Sequence, residues 1–135
     1  MTSQTNLRLT EQFLHKLGTG ASAEEIAALC VPDLDWNIPG DSGALPWIGH
    51  KTGSSAIADF VRDTQTMIQR ESLEIHEVLA SEQRAIILGH LRSRITATTR
   101  LIDSPFAIVL TFSGGRIATF LMLEDSFATS NAARR

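Results

Sequence analysis

An α+β fold, with a curved sheet and its helices gathered on one face, is the architecture this sequence predicts. Three observations carry that reading. The stretch from Leu101 to Asp125, LIDSPFAIVLTFSGGRIATFLMLED, is two apolar runs of period two about Gly114-Gly115. Glycines supply the positive φ of tight hairpins at little steric cost. Helical periodicity fills the first half of the chain and changes to period two around Arg70. Helices ahead of an antiparallel run pack on one face of the sheet, and a twisted sheet curls around a conical cavity. Within the hairpin, Phe106, Ile108, Leu110 and Phe112 share one face, and Ala107, Val109 and Thr111 the other. On the return, Ala118, Phe120 and Met122 alternate with Ile117, Thr119, Leu121 and Leu123. Both faces are mostly apolar, so both are expected to be covered.

The elements follow in order. Residues near 4–18 form a helix with Leu7, Phe13, Leu14 and Leu17 on a stripe, ended by Gly18-Thr19-Gly20. Ser22 and Glu25 have capping-box spacing for a second helix, with Ile26, Leu29 and Cys30 on its apolar side and Pro32 at its close. Leu34, Trp36 and Ile38 alternate with Asp33, Asp35 and Asn37, as in a strand with one buried face. A long loop runs from Pro39 through Trp47 to Gly53, and loops of that length often cover a site. A third helix starts near Ser54, with Ile57, Phe60, Val61, Thr64 and Ile68 as its stripe. Strands follow at 73–78 and 84–98, the second with His90, Arg92 and Arg94 on one side and Gly89, Leu91 and Ser93 on the other. Pro105 is expected at a strand start or a bulge, because it cannot donate to a ladder. A short helix or tail follows Ser126.

Composition bounds the function. The 135 residues suit a single domain, 1–135, with one core, and 43% apolar residues exclude a disordered chain. The net charge is −3 and no dense Lys/Arg run occurs, which argues against nucleic acid as a partner. No apolar run is long enough to span a bilayer, so no membrane partner is expected. The start lacks the apolar core of a signal peptide, and the lone Cys30 fits a reducing, cytoplasmic setting.

The segments FLHKLGTGASAEEIAALC, LDWNIPG, LPWIGHKTGSSAIADFV and FAIVLTFSGGRIATFLMLED, in that order, resemble the NTF2-like superfamily, in its SnoaL-like, ketosteroid-isomerase-related branch. The resemblance implies an NTF2-like (cystatin-like) cone, a mixed or antiparallel sheet with three helices on its concave side. It implies a homodimer, no cofactor, and a small apolar molecule as partner: a steroid, terpenoid or polyketide-like ring acted on by an isomerase, cyclase or hydrolase. The alternative is a non-catalytic ligand-binding or dimeric interaction domain. The acids of these relatives fall on apolar positions here. Phe13 stands where ketosteroid isomerases place a tyrosine, and Ile38 where their aspartate base precedes a proline. Phe106 or Ala107 stands near their second acid, and Met122 where cyclases and epoxide hydrolases keep one. His90-Leu91-Arg92 occupies the place of the hydrolases' Arg-x-Asp.

The remaining candidates come from the residues themselves. His90 can move protons near neutral pH, and with Asp125 it would make a His-carboxylate dyad; the competing reading is a hydrogen-bonded structural histidine. Asp125 is a general acid at the cavity mouth or the cap of a last helix. Glu124 shares the parity of Phe120 and Met122, so it is either a cavity carboxylate with a raised pKa or a solvated strand end. Arg92 and Arg94 either hold an anionic group or are solvated. Phe13, Trp36, Ile38, Trp47, His50, Phe60, Phe106, Phe120 and Met122 are the expected pocket lining, with Trp47 folding over the pocket and His50 offering a polar contact. No metal spacing occurs among the four histidines, and His76-Glu77 lacks the second histidine of a zinc helix, since Ala80 stands there.

Overall fold

The computed structural model describes residues 2–134. The elements in chain order are α1 (Ser3–Gly18), α2 (Ala23–Ala27), β1 (Cys30–Ile38), β2 (Gly49–Thr52), α3 (Ser55–Met67), β3 (Ile68–Ala80), β4 (Arg84–Ile95), β5 (Leu101–Ser113), β6 (Arg116–Glu124) and α4 (Ser126–Ala133). The strands form one open, mixed sheet in the order β2-β1-β6-β5-β4-β3. Only β1 and β6 run parallel; the other neighbours are antiparallel. A parallel pair needs its strands far apart in sequence, and β1 opens the sheet while β6 closes it.

The central hairpin forms as its sequence requires. Gly114 and Gly115 sit at φ 58° and 81° between Ser113 and Arg116, the positive-φ pair of a two-residue turn. Phe106, Ile108 and Leu110 face the concave side and are buried. On the return strand the alternation slips. Phe112 pairs with Ile117 and Thr111 with Thr119, so Ala118 is a bulged residue. The bulge turns Ile117 inward, where it is buried, against the outward position its parity predicts. The outer face of the hairpin is open within the chain, with Leu123 46% exposed. Pro105 lies inside β5, one residue beyond the last β5–β6 pair, Phe106 with Glu124.

Two further bulges curve β3 along β4. Arg70 pairs with Ser93 and Ser72 with Arg92, which leaves Glu71 extra; Ile75 pairs with Gly89 and Glu77 with Leu88, which leaves His76 extra. Gly89 permits the second bulge. A Cβ there would lie 2.2 Å from the Glu74 carbonyl oxygen and 2.7 Å from Phe106 Cζ. Curvature brings the ends of the sheet toward the helices on its concave side.

Each helix is tied down by identifiable contacts. The buried stripe of α1 is Asn6, Thr10 and Phe13 rather than a purely apolar one. Asn6 Nδ2 donates to the carbonyls of Ser81 (3.0 Å) and Glu82 (3.1 Å), which pins α1 to the β3–β4 turn. Ser22 accepts from the Glu25 amide at 3.1 Å, as its spacing predicts. Helix α2 is shorter than its pattern suggests, because β1 already starts at Cys30 and carries Pro32 within it. There the β1–β6 register is irregular between Cys30 and Asp35. Cys30 is buried, which pushes its thiol pKa up to about 12 and keeps it protonated. The loop after β1 holds the short edge strand β2, and Asp41 fastens it to α4. Arg134 Nη2 donates to Asp41 Oδ1 at 2.8 Å and Ser130 Oγ donates to Oδ2 at 2.6 Å. The Arg134 guanidinium holds the Asp41 carboxyl well below the usual carboxylate range.

Candidate functional site

The concave face, α1, α3 and the loop before β2 enclose a cavity of about 100 Å³. Phe13, Leu14 and Leu17 reach it from α1, and Ile57, Phe60 and Thr64 from α3. These are neighbours at helical spacing, so each helix presents one face to it. Leu45 and Trp47 cover it from the loop that Asp41 anchors. The floor is the inward row of the sheet, including Phe106 and Ile108 of β5 and Phe120 and Met122 of β6. Leu73 and Ile75 of β3 also line it, and at 39% exposure each they form part of its rim.

Aromatic packing builds the inner wall. Trp36 is fully buried behind Phe120, stacked on it at 4.4 Å with the planes 6° apart. Its indole N–H donates to the Trp47 carbonyl at 3.0 Å, so the core residue fixes the covering loop. Phe60 meets Trp47 edge to face at 5.7 Å, and Phe13 meets Phe120 at 6.3 Å.

Among the described residues one acid, Glu124, lines this apolar space. Glu124 ends β6 with the inward parity of Phe120 and Met122, and it lines the cavity beside Thr129. Burial pushes its pKa above the ordinary glutamate value; the Thr129 hydroxyl pulls it down and the neighbouring Asp125 charge pushes it up. No ion pair joins Glu124 to a cation among the described residues. The other polar cavity groups are Thr64, Arg70 and Ser93. The Thr64 hydroxyl is already spent on the Phe60 carbonyl at 2.8 Å.

The expected lining residues divide. Phe13, Trp47, Phe60, Phe106, Phe120 and Met122 lie on the cavity. Trp36 and Ile38 are buried core behind it, because Phe120 stands between the Trp36 ring and the space. His50 is on β2, exposed, and pairs with Asp35 across the β1–β2 ladder. The expected dyad does not form. His90 has the parity opposite to Gly89 and Leu91, so it lies on the outer face, bonded to Asp103. Arg92 Nε lies 3.6 Å from the same carboxylate. Asp125 caps α4, accepting from the Ala128 amide at 3.0 Å, while its own amide donates to Ser104 Oγ at 2.8 Å. Arg94 is also on the outer face, bonded to Glu71 at 2.7 Å. Arg70, Ser93 and Thr129 are cavity residues that the sequence reading did not single out. The one available signal was the shared side of Gly89, Leu91 and Ser93.

Among the described residues no group of three or more His, Cys, Asp or Glu side chains is placed to hold a metal ion. No described helix is long and apolar enough to cross a membrane.

Comparison with known proteins agrees with this architecture. A family model described as a SnoaL-like domain matches residues 10–120. No curated protein sequence matches the chain. An NTF2-like protein from Burkholderia xenovorans LB400 superposes with a TM-score of 0.87 at 22% identity, covering 99% of each chain. An LEH-like epoxide hydrolase of M. tuberculosis gives 0.73 at 17% identity, over 97% of this chain and 90% of that one. A protein of ketosteroid isomerase-like fold from Catenulispora acidiphila DSM 44928, solved with trimethylamine, gives 0.66 at 17% identity, over 84% and 82%. At these identities the likeness is one of fold.

Proposed function

The chain belongs to the SnoaL-like domain family, and from that premise we propose that it is a cofactor-independent enzyme acting on a small, largely apolar molecule. Glu124 is its general acid or base. The observation that carries this reading is a carboxylate without a cation, raised in pKa, at the wall of an otherwise apolar cavity. A carboxyl group whose pKa is raised holds its proton to a higher pH and is a stronger base once ionised, as a general acid or base requires. Isomerisation, cyclisation and hydrolysis all need such a transfer. The cavity holds about 100 Å³, less than the roughly 150 Å³ of a cavity that takes one benzene, so it admits no body as large as a fused four-ring steroid.

The assignment differs from the His90–Asp125 dyad because the environment decides it. His90 is on the solvent side with a carboxylate partner, and Asp125 is committed to a helix cap. Once a substrate is identified by mass spectrometry of ligands extracted from the purified protein, E124Q is expected to lower kcat by about a hundredfold or more. H90N is expected to leave kcat within about twofold, as an outer-face substitution away from the cavity should. The reverse ranking would move the chemistry out of the cavity.

A second reading is a ligand-binding domain that dimerises through the outer face of its sheet. Leu79, Leu88 and Leu123 are exposed there, at 49%, 36% and 46%. Sedimentation at high concentration tests it, and a monomer throughout removes it.

A further inference from the structure

The cavity has a second polar pole, far from Glu124. Arg70 and Ser93 stand directly opposite each other on β3 and β4, both on the concave face and both lining the cavity. Directly opposed residues of an antiparallel pair hold their Cβ atoms about 5 Å apart. Ser93 is 5% exposed as a residue, and among the described residues no hydrogen bond commits its hydroxyl. That hydroxyl is therefore free to donate to a ligand in the cavity.

Arg70 is an exposed residue that also lines the cavity. The other arginines near acids are paired: Arg62 with Glu24, Arg92 with Asp103, Arg94 with Glu71, Arg134 with Asp41. Glu71, next to Arg70 in the chain, points to the other face and is taken by Arg94. Among the described residues, no acid is within ion-pair distance of Arg70, and no other arginine or lysine lines the cavity. Arg70 also borders a second cavity of about 210 Å³, which shares Leu17, Phe60, Thr64 and Ile68 with the first. Arg70 therefore borders both spaces.

Resting on the reading of the cavity as a ligand site, we infer that its ligand carries an anionic head group, a carboxylate, received by Arg70 and Ser93. A guanidinium and a hydroxyl together offer the planar fork and the additional donor that a carboxylate takes. The apolar body then lies among Phe106, Ile108 and Phe120. Gly89, across from Phe106 and hence level with Glu124, is four residues along β4 from Ser93, about 13 Å at strand rise. The head is thus held at one end while the other end meets Glu124. Like charges are kept apart, and the acid acts on a part of the molecule remote from its head.

Matched probes test this. Phenylacetate and 4-phenylbutyrate are titrated against their primary amides, following tryptophan fluorescence and amide NMR shifts, on the wild-type protein, R70Q, S93A and E124Q. The expected result is an affinity about tenfold higher for the acids than for the amides on the wild type. R70Q should abolish that preference, bringing the acids down to the affinity of the amides with Tm unchanged, S93A should reduce it, and E124Q should retain it. Equal affinity for acid and amide on the wild type, or a preference that survives in R70Q, overturns the head-group assignment but leaves the cavity as a ligand site. Failure of every probe to shift any cavity resonance overturns both.

Discussion

The two faces of the one sheet hold ionisable groups in opposite circumstances. On the outer face His90 meets Asp103, Arg92 approaches the same carboxylate, and His76 lies 3.0 Å from Glu74. All have solvent around them, so these contacts are screened. On the inner face Glu124 sits among Phe106, Met122 and Phe120 without a cation, and its pKa rises in consequence. Histidine is the residue type usually associated with proton transfer at neutral pH. Here the strand alternation puts the glutamate on the apolar cavity and leaves the histidine outside.

That contrast predicts unequal responses to substitution. The largest effect should come from the inner wall. Trp36→Ala removes the ring stacked on Phe120 and the donor that holds the Trp47 carbonyl, and urea unfolding should show a loss of about 3–5 kcal/mol. Gly89→Ala drives a methyl into the Glu74 carbonyl and the Phe106 ring, so a loss of about 1–3 kcal/mol should accompany a changed near-ultraviolet spectrum. Asp125→Ala, at the boundary between the faces, should cost about 1 kcal/mol as a lost helix cap. On the outer face His90→Asn should change stability by no more than about 0.5 kcal/mol. An outer-face loss as large as the Trp36 one would break the distinction.

The parts of this molecule legible in the sequence are those set by local pattern. Gly114-Gly115 specified its turn, and Phe106, Ile108, Leu110, Phe120 and Met122 kept the parity their spacing predicts. What hid was what pattern does not encode. A bulge adds one residue without marking its composition, so Ile117 lies on the face opposite to its predicted one. Asn6 and Thr10 are polar yet buried, because the turn carbonyls of Ser81 and Glu82 satisfy the Asn6 amide and the Asn6 carbonyl satisfies Thr10. Trp36 points inward as its alternation requires, but only the stacking on Phe120 decides that it backs the cavity instead of lining it. His50 could not be placed without β2, an edge strand of four residues inside a stretch that reads as loop. For Glu124 the sequence left two readings open, since its burial depends on α4 folding back beside it with Thr129.

Desolvation is the main cause that raises the pKa of the Glu124 carboxyl. An acid whose pKa rises on folding binds its proton more tightly folded than unfolded. Folding stability therefore declines as pH climbs from the ordinary value of 4.5 through the raised one, and E124Q should lack that part of the decline. The most direct measurement is a carbon-13 NMR titration of the glutamate side-chain carboxyls, with E124Q assigning the resonance. The expected midpoint for Glu124 lies clearly above 4.5 and rises further when an uncharged apolar ligand fills the cavity. A midpoint at or below 4.5, unmoved by ligand, would contradict the account.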